Sequence, residues 1–148
     1  LIAFEKIQHE KRPVLPVLSA DTTVIAQGQI LGKPDDEKQA KAFLRSLSGS
    51  EHEVRTAVCV GTNKDNLLTA VSVSKVYFKE LTEEEIAAYV RLAEPYDKAG
   101  GYGIQGLAGA FIKKIEGSYS GIMGLPVYET CELLARFGIN LFGEHSLK

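Results

Sequence analysis

The spacing of hydrophobic and polar residues along this chain alternates between a strand pattern and a helix pattern. Apolar and β-branched runs predict strands at residues 14–18, 54–60, 67–78 and 111–115. Apolar residues three and four apart predict helices at residues 34–47, 82–92 and 126–137. A short polar turn joins the second and third strands, which are therefore expected to form an antiparallel arm. The whole pattern predicts an α/β fold with a mixed, partly antiparallel central sheet flanked by helices.

Local signals mark the ends of several of these elements. Gln27 and Gly28 stand between two short apolar segments and predict a hairpin, because glycine readily adopts positive φ. Thr82 and Glu85 have the spacing of a capping box, which starts a helix. Residues 116–120 are expected to form a turn between the last strand and the last helix.

The composition is that of one globular domain, which we place over residues 1–148. The chain is 45% hydrophobic and 24% charged, and its net charge of −2 offers no basic field that would attract nucleic acid. No apolar run approaches the roughly 20 residues that a membrane-spanning helix needs. Cys59 and Cys131 are isolated in apolar surroundings, as expected for buried thiols in a reducing cytoplasm. We therefore expect a cytoplasmic protein that binds neither nucleic acid nor membrane.

Candidate chemistry begins at Asp21, which follows the first apolar run. The pattern predicts a buried strand with this carboxylate at its C-terminal tip, where open α/β sheets bind ligands. A carboxylate there can hold a hard divalent cation, and Lys33 could hold a phosphate that the cation bridges. Ordinary turn chemistry is the alternative, because Asp21 and Thr22 can both hydrogen-bond to nearby backbone.

A second candidate is the glycine-rich segment at residues 101–106, which reads Gly-Tyr-Gly-Ile-Gln-Gly. A dinucleotide-binding fold is not expected, because that pattern should follow a strand and open a long helix, whereas residues 94–98 are polar. The glycines instead indicate a loop whose backbone can approach a ligand closely. Gln105 offers an amide that could orient a water molecule or bind a base edge. A glycine-rich turn with Gln105 merely solvated is the alternative.

These segments, taken in order, resemble the Maf family of nucleoside-triphosphate pyrophosphatases, which is similar in fold to the inosine-triphosphate pyrophosphatases. The matching segments are residues 19–34, 47–58 and 94–126. The string at residues 97–106 is the most specific of them. It resembles the branch of the family that acts on dTTP and UTP, and not the branch that acts on 7-methyl-GTP. The implied role includes removal of modified pyrimidine triphosphates.

The resemblance also implies roles for particular residues. Asp21 would be a catalytic carboxylate and a metal ligand, Lys33 would contact phosphate, and Gln105 would complete the active site. The implied substrate-binding residues are Lys6, on a helix expected at residues 1–11, together with Thr22 and Thr56. The implied cofactor is Mg²⁺ or Mn²⁺, and the products would be the nucleoside monophosphate and pyrophosphate. A homodimer is implied as well.

Two questions stay open at this point. The family's N-terminal Ser-x-Ser-x-Arg-Arg loop and a later Glu have no counterpart here, so we expect that the N-terminal part of the domain is missing and that this fragment is inactive by itself. The protein could therefore be a metal-dependent pyrophosphatase, or a non-catalytic nucleotide-binding or septum-regulating protein that kept the fold. Asp97 and Lys98 could serve the site or form a structural ion pair that holds the loop.

Overall fold

The computed structural model describes residues 15–143, which fold around a five-stranded sheet in the order β2-β1-β3-β4-β5. The strands are β1 (Val17–Ala26), β2 (Gln29–Leu31), β3 (Glu51–Asn63), β4 (Asn66–Phe78) and β5 (Ile112–Glu116). The helices are α1 (Glu37–Leu47), α2 (Glu83–Tyr89), α3 (Tyr119–Met123) and α4 (Val127–Ala135), with short 3-10 turns at Glu94–Asp97, Ala99–Gly101 and Leu107–Phe111. The expected α/β fold is confirmed, and within the described residues its sheet is antiparallel throughout.

The hairpin of β3 and β4 forms the centre of the sheet and is longer than its apolar runs predicted. Side chains alternate along β3, so that His52, Val54 and Thr56 are buried. Glu51, Glu53 and Arg55 alternate with them and lie on the outer face. Because those outer positions are polar, the apolar pattern begins only at Val54, although the pairing with β4 starts at Glu51.

The predicted hairpin turn and the capping box are both present. Gln27 and Gly28 have φ values of 51° and 77°, and they join β1 to β2. The Thr82 hydroxyl accepts a hydrogen bond from the Glu85 N–H at 3.1 Å, and the Glu85 carboxylate accepts one from the Thr82 N–H at 3.0 Å. The helix that follows, α2, ends at Tyr89, earlier than predicted, because the next N–H groups close tighter turns: Arg91 bonds to the Ala88 carbonyl at 3.4 Å and Leu92 to the Tyr89 carbonyl at 3.0 Å.

The helices α1 and α3 begin at capping residues that the sequence pattern did not locate. The Asp36 carboxylate accepts a hydrogen bond from the Gln39 N–H at 2.8 Å, so α1 begins after Asp36 and not at Pro34. The Ser118 hydroxyl accepts one from the Gly121 N–H at 2.9 Å and starts α3 inside the segment that was predicted to be a turn. That prediction was wrong for the end of the segment, because a helix of five residues is too short to show periodicity.

The core face of the sheet carries two apolar clusters with a row of hydroxyl groups between them. The larger cluster includes Val24, Leu44, Val54, Phe78, Ile86 and Tyr102, and the smaller one contains Val58, Val60 and Leu133. Thr22, Thr56 and Ser72 are register partners across β1, β3 and β4. The helix α3 packs directly on this row, since a Cβ atom on Gly121 would lie 2.5 Å from Ser72 Oγ. A glycine at this position therefore lets α3 approach the sheet.

The side chains of the two cysteines are only partly buried. Cys59 and Cys131 are free and half-buried, so the expectation of buried thiols holds only in part. Cys59 occupies the outer face of β3, because Val58 and Val60 on either side of it are buried.

No helix within residues 15–143 combines the length and the apolar character needed to cross a membrane.

Candidate active site

Asp21 lies in the middle of β1 and not at the tip of a strand, so that prediction was wrong. Its register partner on β3 is Ala57, and the pairing of the two strands continues to Ile25. The β-branched residues after Asp21 extend the strand, whereas the prediction ended it with the apolar run. On its other side β1 pairs with β2 only through Val24–Ala26, so within the described residues no strand lies beside Asp21 there. Asp21 is exposed.

A cleft of about 280 Å³ opens beside Asp21. It is lined by Asp21, Thr22, Val24, Lys33, Val54, Asp97, Lys98, Ala99, Tyr102, Gly103, Ile104, Gln105, Ile122 and Met123. The cleft thus brings together the residues that the sequence proposed as catalytic, which come from β1, from the loop after β2 and from the glycine-rich loop. Lys6, and the helix expected at residues 1–11, lie outside the described residues.

Thr56 lies behind the cleft and does not line it. Its side chain is fully buried, and its hydroxyl donates a hydrogen bond to the Gly121 carbonyl at 2.6 Å. A hydroxyl has one hydrogen, so in the contact of 3.0 Å between the two hydroxyls Thr22 is the donor and Thr56 the acceptor. Thr56 therefore fixes Thr22, and the Thr22 hydroxyl keeps only acceptor capacity for a ligand.

Glu94 clamps the far side of the loop that carries Gln105. Its carboxylate accepts hydrogen bonds from the N–H groups of Leu107 at 3.2 Å and Ala108 at 3.4 Å. The carboxylate also takes the space beside Gly106, where a Cβ atom would lie 1.8 Å from Glu94 Oε1. The glycine at residue 106 is therefore required for the loop to close over this carboxylate.

Tyr89 extends the same clamp to the other side of the loop. Its hydroxyl donates a hydrogen bond to the Glu94 carboxylate and accepts one from the Gly103 N–H at 3.3 Å. Burial and the Glu94 carboxylate raise the pKa of Tyr89, so the phenol stays protonated and can keep both bonds. The hydrogen-bonded pair of Tyr89 and Glu94 thus holds the loop backbone both before and after Gln105.

An aromatic cluster anchors the loop to the sheet. His52 Nε2 and the Tyr102 hydroxyl are 2.5 Å apart, and both rings make edge contacts with Phe78. Burial lowers the pKa of His52 to about 4, so its ring is neutral at physiological pH. Burial also raises the pKa of Tyr102, so both partners of this hydrogen bond are uncharged.

Glycines at the start of the loop bring it against β1 and toward Lys33. Gly100 has a φ of +79°, and a Cβ atom there would lie 2.9 Å from Val24 Cγ1. The Gly100 N–H donates a hydrogen bond to the carbonyl of Gly32 at 3.0 Å. Because Gly32 directly precedes Lys33, this bond ties the lysine-bearing segment to the loop.

Four charged residues line the cleft, two of each sign: Asp21, Lys33, Asp97 and Lys98. Lys98 Nζ lies 3.1 Å from Asp97 Oδ1. The hydrogen bond from Lys98, with a smaller contribution from the charge of Lys33, lowers the pKa of Asp97. Among residues 15–143 there is no group of three or more His, Cys, Asp or Glu side chains that could hold a metal ion. Asp21 can therefore be only part of a metal site in this region.

Sequence reasoning missed the residues that support the cleft. His52 and Glu94 lie within the segments that resemble the Maf family, but the resemblance assigned them no role, and Tyr89 lies outside those segments. The apolar wall formed by Ile122 and Met123 was missed because α3 itself was not predicted. Their roles appear only when segments far apart in the sequence are packed together.

Comparison with known proteins gives consistent matches. A family model described as Maf-like protein matches residues 2–137. The dTTP/UTP pyrophosphatase of Pasteurella multocida is 55% identical over 133 residues, which are 90% of this chain and 66% of that protein. The protein of the same name from Bordetella avium is 55% identical, over 91% of this chain and 67% of that protein. The one from Nitrosomonas europaea is 48% identical, over 93% of this chain and 66% of that protein. The chain thus spans about two thirds of the length of these relatives.

Proposed function

Because this chain belongs to the Maf-like family, we propose that its protein is a nucleoside-triphosphate pyrophosphatase that hydrolyses dTTP and UTP to the monophosphate and pyrophosphate. Relatives with 48–55% identity carry the name dTTP/UTP pyrophosphatase. The observation that carries the proposal is that Asp21, Lys33 and Gln105 line one and the same cleft. A carboxylate, an ammonium group and an amide in one cleft match the needs of water attack on a phosphate ester.

Lys33 is proposed to hold the phosphate chain. A triphosphate carries several negative charges, and a charged ammonium donor binds phosphate oxygens more strongly than a neutral donor does. The hydrogen bond between Gly32 and Gly100 supports this role, because it fixes the backbone from which Lys33 projects. Charge that develops on the departing pyrophosphate would be stabilised by the same ammonium group.

Asp21 and Gln105 are proposed to act on the attacking water. The water oxygen forms a bond to the α-phosphorus, and the oxygen that bridges the α- and β-phosphates leaves with the electron pair of the broken bond. The proton released by the water passes to the Asp21 carboxylate and from there to solvent. The Gln105 amide can orient the water or bind the pyrimidine edge, and the Glu94 clamp supports either role by fixing the loop.

The donor set of the cleft fits a divalent cation shared with the substrate. Asp21 offers hard carboxylate oxygens, and Mg²⁺ is usually held by one or two carboxylates together with phosphate oxygens of the substrate. When bound, Mg²⁺ or Mn²⁺ would neutralise phosphate charge.

We also propose a cytoplasmic location and a homodimer. A reducing compartment suits the two free thiols, Cys59 and Cys131. A mass measurement by light scattering would test the dimer, which stays a prediction from the family resemblance.

The substrate assignment predicts a clear order of activities in the full-length protein. Pyrophosphate release should be fastest with dTTP and UTP, and slower with ATP, GTP and 7-methyl-GTP. The measurement is the initial rate with each triphosphate in the presence of Mg²⁺ and of Mn²⁺. A preference for 7-methyl-GTP would contradict the substrate assignment. Nucleotide binding without any pyrophosphate release would favour the non-catalytic alternative.

A further inference from the structure

Asp97 and Lys98 form an ion pair whose geometry does not suit a structural role. The two residues are neighbours in sequence, so their hydrogen bond of 3.1 Å ties no other segment to the loop. Their side chains are 74% and 42% exposed, and exposed ion pairs of this kind contribute little to stability. The pair nevertheless lines the cleft.

The loop is already held by other contacts. Glu94 and Tyr89 fix it near Gly103 and Ala108, and the contact between Tyr102 and His52 anchors its middle. None of these hydrogen bonds uses the side chain of Asp97 or of Lys98. Both charged groups are therefore available to a ligand without cost to the loop.

The stem of Lys98 lies against the loop backbone at Gly103. A Cβ atom on Gly103 would lie 2.7 Å from Lys98 Cε and 2.8 Å from Lys98 Cδ. Any side chain at residue 103 would displace the lysine, so the glycine lets the stem lie directly against the backbone. Gly103 thus permits this path of the stem, and the ammonium group stays partly exposed at the cleft.

Asp97 lies in the field of two ammonium groups. Both Lys98 and Lys33 favour its ionised form. A phosphate group presents the same kind of anionic oxygen acceptors as this carboxylate. A triphosphate that enters the cleft therefore competes with Asp97 for the same lysines.

We infer that Lys98 is a second phosphate-binding residue of the cleft and that Asp97 is the internal counter-ion that the substrate displaces. The inference rests on the proposed function for the identity of the ligand. It assigns opposite effects to the two members of one ion pair: Lys98 favours triphosphate binding, and Asp97 opposes it.

The test measures binding of inorganic tripolyphosphate to the full-length protein by calorimetry, with thermal melting alongside. Lys98→Gln should weaken binding about tenfold or more, as for loss of one charge-assisted hydrogen bond. Asp97→Asn should tighten binding several-fold, because it removes the competing anion. The matched control is Lys113→Gln on β5, an exposed lysine that does not line the cleft, and it should leave binding unchanged. All three variants should melt like the parent protein.

The opposite signs separate this inference from a structural ion pair. Equal losses of binding in Lys98→Gln and Asp97→Asn, together with lower Tm values, would overturn it. Unchanged binding in Lys98→Gln would overturn it as well, as would weaker binding in Asp97→Asn. Because tripolyphosphate binding needs no turnover, failure of the parent protein to hydrolyse dTTP or UTP would refute the proposed function while leaving this result readable.

Discussion

Two buried polar residues, Thr56 and His52, shape the cleft without entering it. Thr56 bonds to the Gly121 carbonyl and so fixes the hydroxyl of Thr22. His52 bonds to Tyr102 and so fixes the aromatic side of the loop. A buried polar group is tolerated when it has a partner. Thr56 and the Nε2 atom of His52 each have one that lines the cleft or packs beside it, whereas His52 Nδ1 has no hydrogen-bond partner among the described residues.

His52 predicts a specific loss of stability in acid. Its pKa falls from an ordinary value near 6.5 to about 4 on burial, so the unfolded chain binds this proton more readily than the folded protein does. The stability associated with a neutral His52 is complete above pH 6.5 and is lost as the pH falls toward 4. The loss should be on the order of 3 kcal/mol.

The measurement is the free energy of unfolding at steps between pH 7 and pH 4 for the parent protein and for His52→Phe. Carboxylates titrate in both proteins, so the difference between the two curves isolates the histidine. The variant should be less stable at pH 7, because Tyr102 loses its partner, and its curve should be flatter. Parallel curves would contradict the assigned burial effect.

At the scale of secondary-structure elements, the position of the glycine-rich loop depends on the carboxylate of Glu94. Glu94 lies in the 3-10 turn after α2 and binds backbone on the far side of Gln105. The turn, the end of α2 and the loop therefore form one unit. A substitution at Glu94 should therefore shift the position of Gln105, although only Gln105 lines the cleft.

Glu94→Gln should lower the turnover number for UTP about tenfold or more, since misplacing a catalytic group by about 1 Å can cost 10²-fold. The amide keeps one acceptor oxygen and loses the other, so one of the bonds to Leu107 and Ala108 is broken. If Glu94 acts through Gln105, the same change should cost much less in a Gln105→Ala protein.

The matched control for this prediction is Glu84→Gln, an exposed glutamate on α2. It should leave both turnover and Tm unchanged. Additive losses in the Glu94→Gln, Gln105→Ala double variant would show that Glu94 does not act through Gln105.

At the scale of the whole molecule, the cleft joins segments that are far apart in the chain. Asp21 comes from β1, Lys33 from the loop after β2, Gln105 from the glycine-rich loop and Met123 from α3. The antiparallel register of β1, β3 and β4 brings these segments together, since the hydroxyl row on that sheet seats α3. The site is therefore a property of the fold and not of one motif.

Elements with strong local signals were predictable from the sequence. The alternation along β3 and β4, the positive-φ turn at Gln27 and Gly28, and the capping box at Thr82 are each encoded within a few residues. Asp21, Lys33 and Gln105 were proposed from their strings, and all three line the cleft, while their roles stay predictions.

Features that depend on distant packing were not predictable. Asp21 lies in the middle of β1 because β1 pairs with β3 as far as Ile25, and the apolar run before Asp21 gives no indication of that pairing. The short α3 follows from the fit of Gly121 on Ser72. The clamp at Glu94 needs backbone groups more than ten residues away, at Leu107 and Ala108.

The proposal that Asp21 is a catalytic residue is tested most directly by comparing Asp21→Asn with Asp65→Asn in the full-length protein. Asp65 lies in the exposed turn between β3 and β4 and does not line the cleft, so it controls for loss of a carboxylate. Pyrophosphate release from UTP should fall about 10²-fold or more in Asp21→Asn, as for removal of one essential charged group, with an unchanged Tm. Asp65→Asn should keep the rate of the parent protein. A folded Asp21→Asn protein with near-normal turnover would contradict the account, because Asp21 would then be only a strand residue at the edge of the cleft.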